Sequence, residues 1–272
     1  MARRRLTAEE IRIGTSGWNY GHWRGCFYPA DLPRRDWLAH YQKEFSTVEL
    51  NASFYRRIRR STWERWRQQS PEGFVWAVKA HRQITRFTRL RQRKPLREFL
   101  QSVAALGNRL GVILFQLPPS LKFDATVAKR FFGWLPEDKR YAIEPRHPSW
   151  FSKKPLALLR QHGVALCMAD CGTRYPSAQK VTADFVYVRF HGREQLYRSR
   201  YTLAQLRPWA RKLVQWKKPA FVYFNNDFGG YAVENARMLR REIRRLLESN
   251  GQHGRKMRQR SKGHQGKSRR LK

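Results

Sequence analysis

The chain has 272 residues, 41% of them hydrophobic, with ten Trp and sixteen Phe; this excludes a wholly disordered protein and allows a sizeable core. The formal net charge is +37, a balance that either attracts polyanions or reflects a basic compositional bias. Three cysteines, Cys26, Cys167 and Cys171, are too few for a disulfide framework, and no apolar run suited to a signal peptide or membrane span follows Met1–Arg5, so a cytoplasmic protein without membrane contact is expected.

In chain order, residues 11–14 read as a first strand, followed by a Gly-rich aromatic loop, Thr15 to Gly21. Trp37, Leu38, Tyr41 and Phe45 have helical spacing within 34–45. Residues 47–51 predict the second strand, and 61–69 a short helix starting at a Ser or Thr cap. The third strand, 73–79, leads into an acid-free stretch that reaches Arg97 and carries eight Lys/Arg, read as a loop on the rim. Residues 95–106 predict a helix, 110–116 the fourth strand, 125–135 a helix and 141–144 the fifth strand. A helix over 155–162 has Pro155 at its start, where a missing N–H does no harm. Strands over 164–169, 185–190 and 220–224 and helices over 203–216 and 233–248 complete the pattern.

Eight strands alternating with helices predict an α/β, TIM-barrel-like (β/α)8 single domain over 11–248. Residues 1–10 form a basic N-terminal extension. The tail 249–272 holds nine Lys/Arg and no acid, has little to bury and is expected to be disordered.

The strands end on polar residues, where a barrel builds its active site. Side chains alternate faces along a strand, so Glu49 and Asn51 share a face, as do Lys79 and His81, Glu144 and Arg146, and Arg189 and His191. Such pairs suit the inward face of a barrel mouth. Glu49, Glu144, Asp170, Asp227 and His191 are the candidate catalytic groups, because neighbouring carboxylates divide acid and base work when their pKa values are pushed apart. The same carboxylates with His81, His147 or His191 are candidate ligands for a divalent metal ion, although no HExxH-like word supports this. Asn51, Lys79, His81, Gln116, Arg146, Arg189, Asn225 and Asn226 are candidate substrate-binding residues, with Trp18 and Tyr55 as aromatic walls. An alternative reading is purely ionic: Glu144 paired with Arg146 or Arg189, and Glu49 with Lys79. Cys167 and Cys171, with no second pair, read as buried thiols.

The strand-end words also resemble a known family. Ile13-Gly-Thr-Ser-Gly-Trp18, Glu49-Leu-Asn-Ala-Ser-Phe-Tyr55, Phe115-Gln-Leu-Pro-Pro-Ser120, Glu144-Pro-Arg-His-Pro-Ser-Trp150, Tyr187-Val-Arg-Phe-His-Gly192 and Tyr223-Phe-Asn-Asn-Asp-Phe-Gly-Gly230 are similar, in order, to those of the YecE-like family, domain of unknown function 72. The resemblance implies a TIM-barrel-like fold and no particular reaction. It also implies a third-strand word ending Ile-Thr-His, where this chain has Arg86 in place of His.

Three functions follow as expectations. The first is an enzyme acting on a phosphorylated or polyanionic substrate, metal-assisted phosphodiester hydrolysis among its forms, in which fold analogy alone names the chemistry. The second is a nucleic-acid-binding protein that uses the Arg82–Arg97 stretch and the tail 249–272 without catalysis. The third is a sugar-type isomerase or hydrolase acting on a small molecule.

Overall fold

The computed structural model describes residues 6–267. Eight parallel strands run β1 (Ile11–Thr15), β2 (Thr47–Leu50), β3 (Val75–Lys79), β4 (Leu110–Gln116), β5 (Arg140–Glu144), β6 (Ala165–Asp170), β7 (Val186–Phe190) and β8 (Ala220–Phe224). Their order in the sheet is β1-β8-β7-β6-β5-β4-β3-β2, which curls β2 back to β1 in a nearly closed TIM-barrel-like ring. Helices α1 (Trp37–Glu44), α2 (Ala52–Tyr55), α3 (Arg60–Gln69), α4 (Arg93–Val103), α5 (Ala125–Phe132), α6 (Lys153–Gln161) and α7 (Leu203–Gln215) lie in the crossovers.

Side-chain caps account for the starts of two helices. Asp124 caps α5 by accepting from the Val127 N–H at 3.0 Å, and Thr202 opens α7 in a capping box with Gln205. The expected Ser or Thr cap of α3 is corrected: the chain turns at Arg59, whose side chain makes no capping bond. Pro155 is the third residue of α6, still within the first turn, where its missing donor is harmless. The stretch after β3, read as a loop, contains one turn of π-helix, Gln83–Phe87. Residues 171–185, between β6 and β7, form no helix. Gly172 with φ 61° and Pro176 interrupt any 3.6-residue pattern there. The last helix, α8 (Tyr231–Lys267), runs beyond Glu248 into the segment expected to lack structure. Residues 1–5 and 268–272 of the two terminal extensions lie outside the described residues.

The core has two layers. One, rich in Trp, Phe and Leu, lies between strands and helices. The other fills the lumen with Ala77, Val112, Leu114, Ala142, Ala165, Cys167, Phe185, Tyr187, Phe221 and Tyr223. These lumen positions fix the strand parity: 77 then 79, 142 then 144, and 187 then 189 point inward.

The ring closes between β1 and β2 in an unusual way. Among the described residues, a single bridge, Ser16 to Glu49, joins them. The backbones nearly touch at Gly14, where a Cβ would stand 2.2 Å from the Thr47 carbonyl oxygen. The buried Tyr41 hydroxyl, from α1, accepts from the Thr15 N–H and donates to the Thr47 carbonyl, both at 3.0 Å. A side chain thus stands in for a ladder bond. Tyr41→Phe leaves both groups unsatisfied, and a loss of about 1–3 kcal/mol is expected in urea denaturation; an unchanged midpoint would show that the seam needs no such bridge.

Candidate functional site

The C-terminal mouth of the barrel is organised around Arg189 of β7, only 1% exposed. Its Nε and Nη2 donate to Glu49 Oε1 at 3.1 and 2.7 Å, and its Nη1 donates to Glu144 Oε2 at 2.5 Å. One guanidinium therefore spans the lumen between β2 and β5. Ser16 and Tyr187 complete Glu49, donating to Oε1 and Oε2 at 2.6 Å each. Gln116 and Arg146 complete Glu144, donating to Oε1 at 2.8 Å and at 3.1–3.2 Å. Burial alone would raise the Glu144 carboxyl; Arg189, His191 and Arg146 outweigh it and hold it well below the usual carboxylate range.

His191 lies above Arg189. Its Nδ1 faces the Asn225 amide nitrogen at 3.1 Å and its Nε2 faces Glu144 Oε1 at 3.5 Å. With Asn225 as donor, the ring proton sits on Nε2 and points at the carboxylate. Burial and the Arg189 charge push the imidazole pKa down, so the ring is neutral. Arg146 packs at 4.3 Å on the Tyr175 ring, which the helix-free 171–185 crossover brings over the mouth.

Lys79 is the exception to this pairing. It is 6% exposed, its Nζ lies 4.0 Å from the centre of the Phe54 ring, and no carboxylate comes within 4 Å of it among the described residues. Arg86, at the family's usual His position, stands over the same ring at 5.3 Å. Two carboxylates already balance Arg189 and Arg146, so a protonated Lys79 is a surplus charge. Burial, reinforced by Arg189, pushes its pKa from 10.5 down to about 7.

The candidates therefore divide. Glu49, Glu144, Gln116, Lys79, Arg146, Arg189, His191 and Asn225 come together. Glu49 pairs with Arg189, not with Lys79, and Glu144 pairs with both arginines. Asp170 does not join them. It is one residue out of phase with Cys167 and Ala169, and its carboxylate accepts from Trp209 Nε1 at 2.9 Å outside the strands, with Arg193 at 3.4 Å. Asn226 likewise faces outward, tying the Ser199 carbonyl to Asn235. Asp227 sits on the rim with Oδ2 3.8 Å from His22, and burial raises its pKa. Trp18 packs edge-on against Trp66 and Trp76 in the outer core, so it is no wall of the mouth. Tyr55 is exposed, and Asn51, inward by parity, has a buried amide oxygen without a hydrogen bond. His81 leaves the mouth for a separate side pocket and accepts from the Gln83 N–H at 3.2 Å. His147 caps the short turn Pro148–Phe151.

Ser16, Tyr187 and Tyr175 were not among the sequence candidates. Parity from Arg189 already places Tyr187 in the lumen; nothing in the sequence marks Tyr175. The divalent-ion reading does not fit this donor set. The oxygens of Glu49 and Glu144 are occupied by donors, and no three His, Cys, Asp or Glu side chains gather among the described residues. Cys167 is buried and Cys171 is capped by a contact with the Tyr175 carbonyl, consistent with free thiols. Among the described residues no helix is long and apolar enough to cross a membrane.

Comparison with known proteins shows the family of the chain. The sequence model of the family described as "Protein of unknown function DUF72" matches residues 12–259. The chain is 29% identical over 265 residues to the UPF0759 protein YunF of Bacillus subtilis, covering 84% of this chain and 93% of that protein. It is 24% identical over 269 residues to the UPF0759 protein YecE of Escherichia coli K12, covering 89% and 95%. A crystal structure of a DUF72 family protein from Thermotoga maritima superposes with a TM-score of 0.77 at 26% identity, covering 88% of this chain and 99% of that one. One from Enterococcus faecalis, at 22% identity with a TM-score of 0.75, covers 86% and 95% and shares the fold.

Proposed function

For this chain, which belongs to the DUF72 family, we propose an enzyme that acts on a small phosphorylated or carboxylated substrate at the barrel mouth, with Lys79 as the reacting amine. The observation that carries this reading is Lys79 itself: an inward lysine at the end of a barrel strand, nearly buried, without a carboxylate partner among the described residues, and with its pKa lowered to about 7. An amine with a pKa of about 7 is both a usable base and a usable nucleophile toward a carbonyl at neutral pH.

The other residues have separate roles. Arg146, partly exposed, offers the substrate anion the guanidinium edge that its Nε and Nη2 bonds to Glu144 leave free. Glu49, Glu144 and Arg189 form the fixed charge frame that keeps Lys79 uncompensated. His191, neutral, directs its Nε2–H at Glu144 and holds that carboxylate in place. Entry of an anion supplies the missing negative charge, so Lys79 takes up a proton on binding, or reacts as the free amine above pH 7. The free thiols accord with a cytoplasmic location.

Pyridoxal 5′-phosphate is an anionic aldehyde that tests this. Its carbonyl condenses with an amine to an imine with loss of water, and borohydride reduction fixes the adduct for mass mapping. At pH 7.5 the expected adduct is on Lys79, is competed by inorganic phosphate, and falls about 10-fold in Arg146→Gln, whose lost guanidinium edge is worth roughly 1.4 kcal/mol or more. Adducts on exposed lysines with Lys79 unmodified would overturn the proposal.

A further inference from the structure

A second cationic surface lies beside the mouth, and it is not the Arg82–Arg97 stretch. A groove of about 630 Å³ runs between the loop after β1 and the turn between α2 and α3. Six arginines line it: Arg34, Arg35, Arg56, Arg57, Arg59 and Arg65. All six are exposed, and no Asp or Glu is among the lining residues. Arg35 and Arg57 reach acids outside the lining, Asp36 at 3.8 Å and Glu98 at 3.0 Å. Arg56, Arg59 and Arg65 have no ion pair among the described residues. Holding six like charges along one groove costs free energy that an anionic occupant returns.

The groove continues into the side pocket that takes His81. The two share Arg56, Arg57 and Ile58. That pocket, about 210 Å³, has Trp63, Pro95 and Phe99 as apolar walls and His81, Gln83, Ser53, Ser102 and Glu98 as polar ones, the Glu98 charge being met by Arg57 at 3.0 Å. It is smaller than a drug-sized site and suits a single planar ring with hydrogen-bonding edges. A row of cations leading to a flat, mixed-polarity pocket matches a phosphodiester strand that turns one base aside.

We propose that this continuous surface binds single-stranded nucleic acid, the arginines on successive phosphates and the side pocket on one base. The proposal is independent of Lys79 chemistry. A duplex, whose bases stay stacked, fits the narrow pocket poorly, whereas an unpaired base enters without unstacking a partner.

Fluorescence anisotropy with labelled 12-mers, dT12 and rU12, tests it. The variant Arg56→Gln/Arg59→Gln/Arg65→Gln removes three cations without breaking an ion pair. The control Lys129→Gln/Lys153→Gln/Arg160→Gln removes three exposed cations from α5 and α6, on the opposite side of the barrel. The groove variant is expected to bind 10–100-fold more weakly, with a salt slope smaller by about 2, as three lost contacts to a single strand imply. The control is expected to change little, and an abasic 12-mer to bind about 10-fold more weakly than dT12, the lower end of the ~1–3 kcal/mol that a well-packed base contributes. Equal losses in groove and control variants, equal affinity for the abasic strand, or equally tight binding of heparin would each overturn the proposal; the last would point to a general polyanion surface.

Discussion

Arg189→Met is expected to destabilise the protein by about 3–5 kcal/mol at pH 7.5, the cost of leaving buried charges without their partner. That is a large share of a typical domain's total stability. Arg189 is fully buried between two carboxylates, and its loss leaves both Glu49 and Glu144 short of their main cation. The pH dependence should invert as well. In the wild type, the folded Glu144 pKa lies below its unfolded value, so its contribution is present above the unfolded pKa and is lost as pH falls through the folded one. In Arg189→Met the largest charge opposing desolvation at Glu144 is gone, Arg146 and His191 resist it only in part, and the folded Glu144 pKa is expected to rise above the unfolded one. The folded state then binds more protons, and the variant should regain stability as pH drops from 7.5 toward 5. Denaturant midpoints at the two pH values measure this. Adding Glu49→Gln and Glu144→Gln should recover most of the loss. A deficit equal at both pH values, or no recovery in the triple variant, would mean that Arg189 acts through packing and not charge.

Lys79→Met should act in the opposite sense and make the protein more stable. The thioether side chain keeps the volume and removes a surplus buried charge. Each unit of pKa depression corresponds to roughly 1.4 kcal/mol, so a fall from 10.5 to about 7 sets a ceiling of roughly 5 kcal/mol. Below pH 7 the amine is protonated in both folded and unfolded chains, and the wild type carries the full penalty. Between 7 and 10.5 the unfolded chain binds more protons, so the penalty shrinks as pH rises, and above 10.5 it is gone. The stability gain of Lys79→Met should therefore be largest at pH 6 and small at pH 10. A gain that does not vary with pH would show that the ammonium is not the strained group. A residue whose removal stabilises the fold is what a reacting group in a shaped site should look like.

The barrel was legible because period and parity act locally. A run such as Phe185 to Phe190 declares its strand, and Glu144 with Arg146 declares an inward pair. Legibility failed where a single residue of register decides the face. Asp170 ends a strand like the others, but one step separates it from the inward Ala169, and it serves Trp209 instead. Asn226, beside the inward Asn225, fails for the same reason. The pairing of Glu49 with Arg189 joins residues 140 positions apart across the lumen, and no spacing rule reaches that far. His81 has the right parity and still leaves the mouth, because the chain bends beyond β3 into the π-type turn. Tyr175 is invisible for a further reason: it reaches Arg146 through a helix-free crossover that has no period from which a side chain's direction could be read.

The β1–β2 seam gives the charge frame a mechanical meaning. With one backbone bridge and one tyrosine hydroxyl across it, this is the line along which the cylinder would unzip first. Glu49 stands on one lip of that line, and Ser16, on the other lip, holds the same carboxylate. Arg189 reaches the carboxylate from the far wall. The three together work as a tie-rod through the lumen, so the tension that keeps the wall shut runs through the same atoms that set the charge at Lys79. Anything bound in the mouth that loosens Arg189 would register as faster exchange of the Thr15 amide, turning the seam into a gauge of occupancy.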